Sequence, residues 1–161
     1  MLTHPTLEQM HDLGLRGMAR AFQDLQANPE AGELTHADWL ALLLDREAAE
    51  RCDRRLKTRL RKARLRHAQA CIEDVDYRTP RGLDRQLFLT LANCRWIADH
   101  HSLLITGPCG VGKSWLACAL GHKACRDNFS VLYKRMPKLF TELALARGDG
   151  RQARLMTSLA K

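Results

Sequence analysis

The stretch Ser102-Leu103-Leu104-Ile105-Thr106-Gly107-Pro108-Cys109-Gly110-Val111-Gly112-Lys113-Ser114 joins an apolar run, Ser102 to Thr106, that reads as a short buried strand, to a glycine-rich loop. Its last eight residues match G-x-x-x-x-G-K-[ST] at every fixed position. The residue types suit one chemistry. Glycines let successive backbone N–H groups turn inward around phosphate oxygens without Cβ clashes. A helix starting near Lys113 aims the positive end of its dipole at the same anion. Lys113 is placed to reach the β- and γ-phosphates, and the Ser114 hydroxyl to ligate Mg²⁺. A chance match in a chain of this length has odds below about 1%, and the apolar run before the loop and the amphipathic pattern after it (Leu116, Ala119, Leu120) lower them further. Similar loops also serve small-molecule kinases, but no substrate or lid residues follow this one.

Beyond the loop, Ser130-Val131-Leu132-Tyr133-Lys134 reads as a second short strand, and Met136 to Arg147 as a helix that Gly148-Asp149-Gly150 ends. Arg151 to Lys161 begins one more. Alternation of short apolar runs with helical patterns predicts a parallel α/β sheet. Before the loop, Asp84 is placed to cap a helix through Leu87, Leu91, Cys94 and Ile97. Tyr77-Arg78-Thr79-Pro80-Arg81-Gly82 reads as a linker. His100 and His101 fall in a loop.

The N-terminal part reads as helical. Apolar residues recur at helical spacing from Leu7 to Leu25, with Gly14 and Gly17 predicting a bend between two short helices. Asn28-Pro29-Glu30-Ala31-Gly32 is a break. Thr35 and Asp38 form a short capping box for a long helix from His36. Leu40, Leu44, Ala48, Cys52, Leu56, Leu60 and Ala63 make one stripe, expected to be its buried face, and the helix is expected to end near His67 to Cys71. Trp39 and Trp96 read as packing anchors, and Trp115 as a neighbour of the phosphate loop.

The chain of 161 residues has a formal net charge of +8. That excess is local. Between Arg51 and Arg66 stand nine basic residues and one acid, Asp53, which accounts for all of it, and the rest of the chain is neutral. A confined basic stripe favours a polyanionic partner over general solubility. Arg54, Arg55, Lys57, Arg59, Arg61, Lys62 and Arg64 are the candidates for phosphate-backbone contact, because guanidinium groups pair bidentately with phosphate. No aromatic residue is interleaved, so base stacking is not expected there and the contact should be independent of sequence. The alternatives are a solvated helix face, which the near absence of acids for i,i+4 pairing disfavours, and a protein-docking surface.

Composition is ordinary for a globular chain, 45% hydrophobic and 27% charged, and no apolar run approaches a membrane span. Met1-Leu2-Thr3-His4-Pro5 does not open a signal peptide, so the expected location is the cytoplasm. The six cysteines (Cys52, Cys71, Cys94, Cys109, Cys118, Cys125) form no C-x-x-C pair and read as reduced, mostly buried thiols. Cys109 reads as a tolerated small residue in the loop. The sharper alternative is a thiol activated by Lys113 and the helix N-terminus.

With these residues in view, the chain resembles the IstB-like ATP-binding proteins, helpers encoded beside the transposase in one class of bacterial insertion sequence and related to the DnaC helicase loader and the initiator ATPases of the AAA+ superfamily. The resemblance rests on the run Arg54-Arg55-Leu56-Lys57-Thr58-Arg59-Leu60-Arg61-Lys62-Ala63-Arg64, the joint Asp74-Val75-Asp76-Tyr77, Gly82-Leu83-Asp84-Arg85, the loop Gly107 to Ser114, and Ala146-Arg147-Gly148-Asp149-Gly150-Arg151. It implies an AAA+-type α/β P-loop NTPase domain with an incomplete parallel sheet, preceded by an all-α region. Residues 1–71 would be the helical region, 72–83 the linker and 84–161 part of the ATP-binding domain. It implies ATP and Mg²⁺ held by Gly107, Pro108, Cys109, Gly110, Val111, Gly112, Lys113 and Ser114, with Ser114 on the metal. Its implied partners are double-stranded DNA, a cognate transposase and further copies of the chain, with ATP lying between subunits. Cys109 stands where the family usually has proline. No Walker B strand, sensor residue or arginine finger follows the loop, so no catalytic residue is assigned, and the pattern is that of a copy cut short. The alternatives to a transposition helper are a helicase-loader-like replication protein and a non-functional remnant.

Overall fold

The computed structural model of the chain describes residues 4–159. Eight α-helices run in order: α1 Pro5–Asp12, α2 Arg16–Ala27, α3 His36–Ala63, α4 Arg85–Ala92, α5 Arg95–Ala98, α6 Lys113–Arg126, α7 Met136–Gly148 and α8 Gln152–Leu159. Two 3₁₀ turns, Pro29–Glu33 and Ile72–Asp74, punctuate them. The chain divides into two compact units, the first ending at Lys57 and the second beginning at Thr58. The opening pentapeptide and the helix expected from Arg151 to Lys161 extend in part beyond the described residues.

In the first unit the bend between α1 and α2 falls at Gly14, whose φ of +71° lies in the left-handed region. Leu7, Met10 and Ala19 are buried together, with Leu15, Met18 and Phe22 packed on them. The Thr35–Asp38 capping box forms: Asp38 N–H donates to Thr35 Oγ1 at 3.2 Å and Thr35 N–H to Asp38 Oδ2 at 3.3 Å. Trp39 anchors packing as expected, stacking edge-on against Phe22 and donating its indole N–H to the Ala31 carbonyl at 2.9 Å.

The buried line of α3 differs from the expected stripe. Leu40 and Leu44 are each 53% exposed, and the inward positions here are Leu43 and Glu47. Rotation by one residue, about 100° on a helix, has a local cause. Gly17 packs directly on the α3 backbone, where a Cβ would lie 2.7 Å from both the Arg46 carbonyl oxygen and the Glu47 Cα. Glu47 then supplies the cap that Leu15 cannot give α2. Its Oε2 accepts from the N–H groups of Gly17 (2.8 Å) and Met18 (3.2 Å), and Oε1 from Arg51 Nε (2.7 Å). Burial pushes the Glu47 carboxyl up, but the Arg51 and backbone hydrogen bonds outweigh it and hold the group below the usual carboxylate range. A buried acid in the place of a leucine is invisible to an apolar-periodicity reading.

In the second unit α6 is the central element. Leu116 and Leu120 join Val75, Phe88 and Ala92 in one buried cluster. Cys118 and Ala119, on the next face, join Ala70 in another. Asp84 caps α4 as expected, accepting from Gln86 N–H at 2.7 Å and Leu87 N–H at 3.2 Å. The helix expected to continue to Ile97 breaks at Cys94, which adopts φ +56° before α5 begins. α3 ends at Ala63, earlier than expected, because Arg64 turns left-handed at φ +52°. The Ala63 carbonyl freed there accepts from Tyr133 N–H at 2.8 Å.

The expected parallel α/β sheet does not form. Among the described residues there is no β-strand, and 102–106 and 130–134 are irregular connections. The side chains nevertheless divide as the apolar pattern requires. Leu103, Ile105 and Val131 line an apolar cavity of about 270 Å³ with Ala117, Leu120, Gly121 and Ala124 of α6, while Leu104 is 86% exposed. A strand also needs a neighbouring backbone. The N–H of Tyr133 goes instead to the end of α3. The incomplete-sheet AAA+-type α/β P-loop description is therefore replaced by a helical one.

Gly17→Ala tests the helix crossing. Alanine is the better helix former by about 1 kcal/mol, yet the new methyl group must displace backbone, so a net loss of about 1–3 kcal/mol is expected by urea denaturation.

Candidate phosphate-binding loop

Between the extended stretch at 102–106 and α6, the chain makes its turn on three glycines. Gly107, Gly110 and Gly112 have φ of +142°, +86° and +88°, values that L side chains rarely adopt. A Cβ on Gly110 would meet nothing within 4 Å, so that position needs glycine for its conformation alone. Gly112 is the N-cap of α6 and offers no side-chain cap to the helix, which leaves the first-turn N–H groups without the oxygen that a serine or aspartate would provide. Positive helix-end potential is thus presented at the surface, the arrangement that receives an anion.

Lys113 opens α6 and folds back over the loop. Its Nζ donates to the carbonyls of Gly107 at 2.8 Å and Pro108 at 2.5 Å. The ammonium therefore sits on the loop that the sequence assigns to phosphate. Ser114, the second residue of α6, is exposed, as are Pro108 and Cys109, while Val111 is half-buried. All eight residues of the motif, Gly107 to Ser114, are thus brought into one turn and one helix end. Trp115, next in sequence, is partly buried against both core clusters of α6, which fixes the helix start to the interior.

Magnesium would find one ligand here, the Ser114 hydroxyl. Among the described residues no group of three or more His, Cys, Asp or Glu could hold a metal ion. Those donors fit an ion that arrives with phosphate oxygens and water, the usual manner of Mg²⁺.

The basic residues are distributed over the two units. Arg54, Arg55 and Lys57 are exposed in the first. In the second, Arg61, Lys62 and Arg64 are exposed and Arg59 is half-buried. No helix among the described residues is long and apolar enough to cross a membrane.

Arg81 reaches the loop from outside the motif. It lies in the segment whose composition predicts a linker, yet its Nη1 donates to the Val111 carbonyl of the loop at 3.2 Å and its Nη2 to the Asp76 carbonyl at 2.6 Å. One arginine after a proline has no local pattern that announces a contact 30 residues away.

A glycine turn that delivers a lysine and a hydroxyl to an open helix N-terminus is the arrangement expected of a phosphate-binding loop. The chain matches the IstB-like ATP binding protein family over residues 8–161 and belongs to it. It is 62% identical over 159 residues to a Sinorhizobium fredii protein named as an insertion sequence ATP-binding protein, covering 99% of this chain and 64% of that one. It is 50% identical over 161 residues to the protein named for ATP binding in insertion sequence IS1162 of Pseudomonas fluorescens, covering 100% and 70%. With the protein of the same kind named for IS21 in Pseudomonas aeruginosa it shares 31% identity over 128 residues, 80% of this chain and 48% of that one. The chain thus spans roughly two thirds or less of the length of most of these relatives.

Cysteine exposure gives a direct check on the loop. Cys109 and Cys52 are exposed, while Cys94, Cys118 and Cys125 are buried, and burial pushes the thiols of Cys94 and Cys125 up. Brief alkylation of the native chain, read by peptide mass spectrometry, should modify Cys109 and Cys52 and reach the three buried thiols only after unfolding.

Proposed function

We propose that the chain binds Mg-ATP at Gly107–Ser114 and DNA phosphates through its basic residues, and serves as the ATP-binding helper of an insertion-sequence transposase. The observation that carries this reading is the glycine turn feeding α6, with Lys113 lying across the loop carbonyls. The names carried by the relatives, insertion sequence ATP-binding proteins, support both the ligand and the biological setting.

In this reading the N–H groups of the loop and the first turn of α6 hold the β-phosphate, and Lys113 leaves the Gly107 and Pro108 carbonyls to pair with phosphate oxygens. Ser114 contributes its hydroxyl to Mg²⁺, which neutralises phosphate charge when bound. Pro108, Cys109 and Val111 shape the turn between the glycines. Arg54, Arg55, Lys57, Arg59, Arg61, Lys62 and Arg64 supply charge to the DNA backbone, independent of sequence.

Titration with Mg-ATP, followed by calorimetry and by Trp fluorescence, should show saturable binding that Lys113→Ala abolishes. Mg-ATP should also shield Cys109 from alkylation while Cys52 stays reactive. Binding that persists in the Lys113→Ala protein, or no binding to the wild-type chain, contradicts the ATP assignment.

For DNA, engagement of about five phosphates gives a log–log slope of affinity against salt of about −4.5. Replacing Arg61 and Lys62 by Gln should lower that slope in magnitude by about two. A flat salt dependence removes the basic residues from the interface.

A further inference from the structure

The joint before α4 is a built structure. Asp76 opens a tight turn, its carboxylate accepting from Arg78 N–H at 2.8 Å and from the Thr79 hydroxyl. Val75 is buried with Phe88, Ala92, Leu116 and Leu120. The Tyr77 ring meets Phe88 edge-on with centroids 6.4 Å apart, and the Arg85 guanidinium lies over it at 5.6 Å. This packing fixes where Arg81 starts.

From there the Arg81 guanidinium spans two backbone segments. One nitrogen donates to the Asp76 carbonyl and the other to the Val111 carbonyl, inside the phosphate loop. The second nitrogen is close behind the loop's last glycine, since a Cβ on Gly112 would come within 3.1 Å of it. Arg81 Nε is buried and has no hydrogen-bond partner among the described residues. A buried charged donor without an acceptor is costly, and here it stands beside a loop whose own N–H groups are arranged for an anion.

We infer that Arg81 is a positioning residue of the nucleotide site, a fork that holds the Val111–Gly112 turn in its phosphate-receiving shape and places a fixed positive charge behind it. The inference rests on the reading of Gly107–Ser114 as the ATP loop. It adds to the site a residue outside the motif, with polyphosphate as the ligand chemistry it serves. Arginine suits the task because a planar fork can reach two carbonyls at once, whereas lysine offers a single point of attachment.

The test compares the full chain with Arg81→Gln, Arg81→Lys, Arg78→Gln and Lys113→Ala, measuring dissociation constants for Mg-ATP, Mg-ADP and AMP together with melting temperatures. Arg78, exposed in the same joint, controls for loss of one positive charge. Arg81→Gln should weaken ATP and ADP by about tenfold, as expected for a charge-assisted contact, and AMP by much less. Arg81→Lys should fall between, and Arg78→Gln should match wild type. ATP binding by Arg81→Gln at wild-type affinity overturns the inference, as does equal weakening of ATP, ADP and AMP, the mark of a merely structural role. Should Arg81→Gln fail to fold, Arg81→Lys decides, and unchanged ATP affinity in that variant overturns the inference. Failure of the ATP reading itself has a separate signature, wild-type chain that does not bind or Lys113→Ala that does, and it takes the inference with it.

Discussion

Left-handed backbone at Gly110 and Gly112 is the constraint on which the second unit depends. Gly112, at φ +88°, is both the last residue of the loop and the N-cap of α6. The same conformation that exposes N–H groups to an anion therefore sets the start and direction of the helix. Leu116, Cys118, Ala119 and Leu120 then fall into the two buried clusters of the unit. A side chain at Gly112 would strain the turn and crowd Arg81 together. Site and core share one hinge of covalent geometry, so the loop is held by the packing of α6 and does not float at the surface.

Electrostatics divide along similar lines. The loop gathers partial positive charge from backbone N–H groups, then adds Lys113 in front and Arg81 behind. Two acids of the second unit pair with cations outside the loop. Glu73 pairs with Arg126 at 2.6 Å, and Glu142 pairs with Lys134. The hydrogen bonds from Arg126 and Lys134 hold both carboxyls below the usual range. Those two acids are therefore ionised and matched by cations at neutral pH, while the Asp76 carboxylate lies in the joint with Arg81 and feels its charge.

The glycine turn and the start of α6 were far more legible in the sequence than the fold around them. Gly107 to Ser114 could be read because phosphate chemistry demands fixed residue types at fixed spacing. The caps at Thr35 and Asp84 could be read because a helix N-terminus makes a local demand on a neighbouring side chain. Leu103, Ile105 and Val131 were legible as inward-facing and are half-buried, but whether a strand forms depends on a backbone partner that no local pattern encodes. The stripe from Leu40 to Cys52 misled for a related reason. Gly17 and Glu47, far apart in sequence, decide which side of α3 turns inward, and the deciding residues are a glycine and an acid. Arg81 was hidden for the same reason, since its partner is 30 residues away.

The most direct measurement is a crystal structure of the chain grown with Mg²⁺ and a non-hydrolysable ATP analogue. Phosphate oxygens should lie within hydrogen-bond distance of the N–H groups of Gly110 to Lys113, with Lys113 Nζ moved from the Gly107 and Pro108 carbonyls onto the nucleotide. Lys113 still bonded to those two carbonyls, with the analogue bound elsewhere or not at all, would contradict the assignment of the loop.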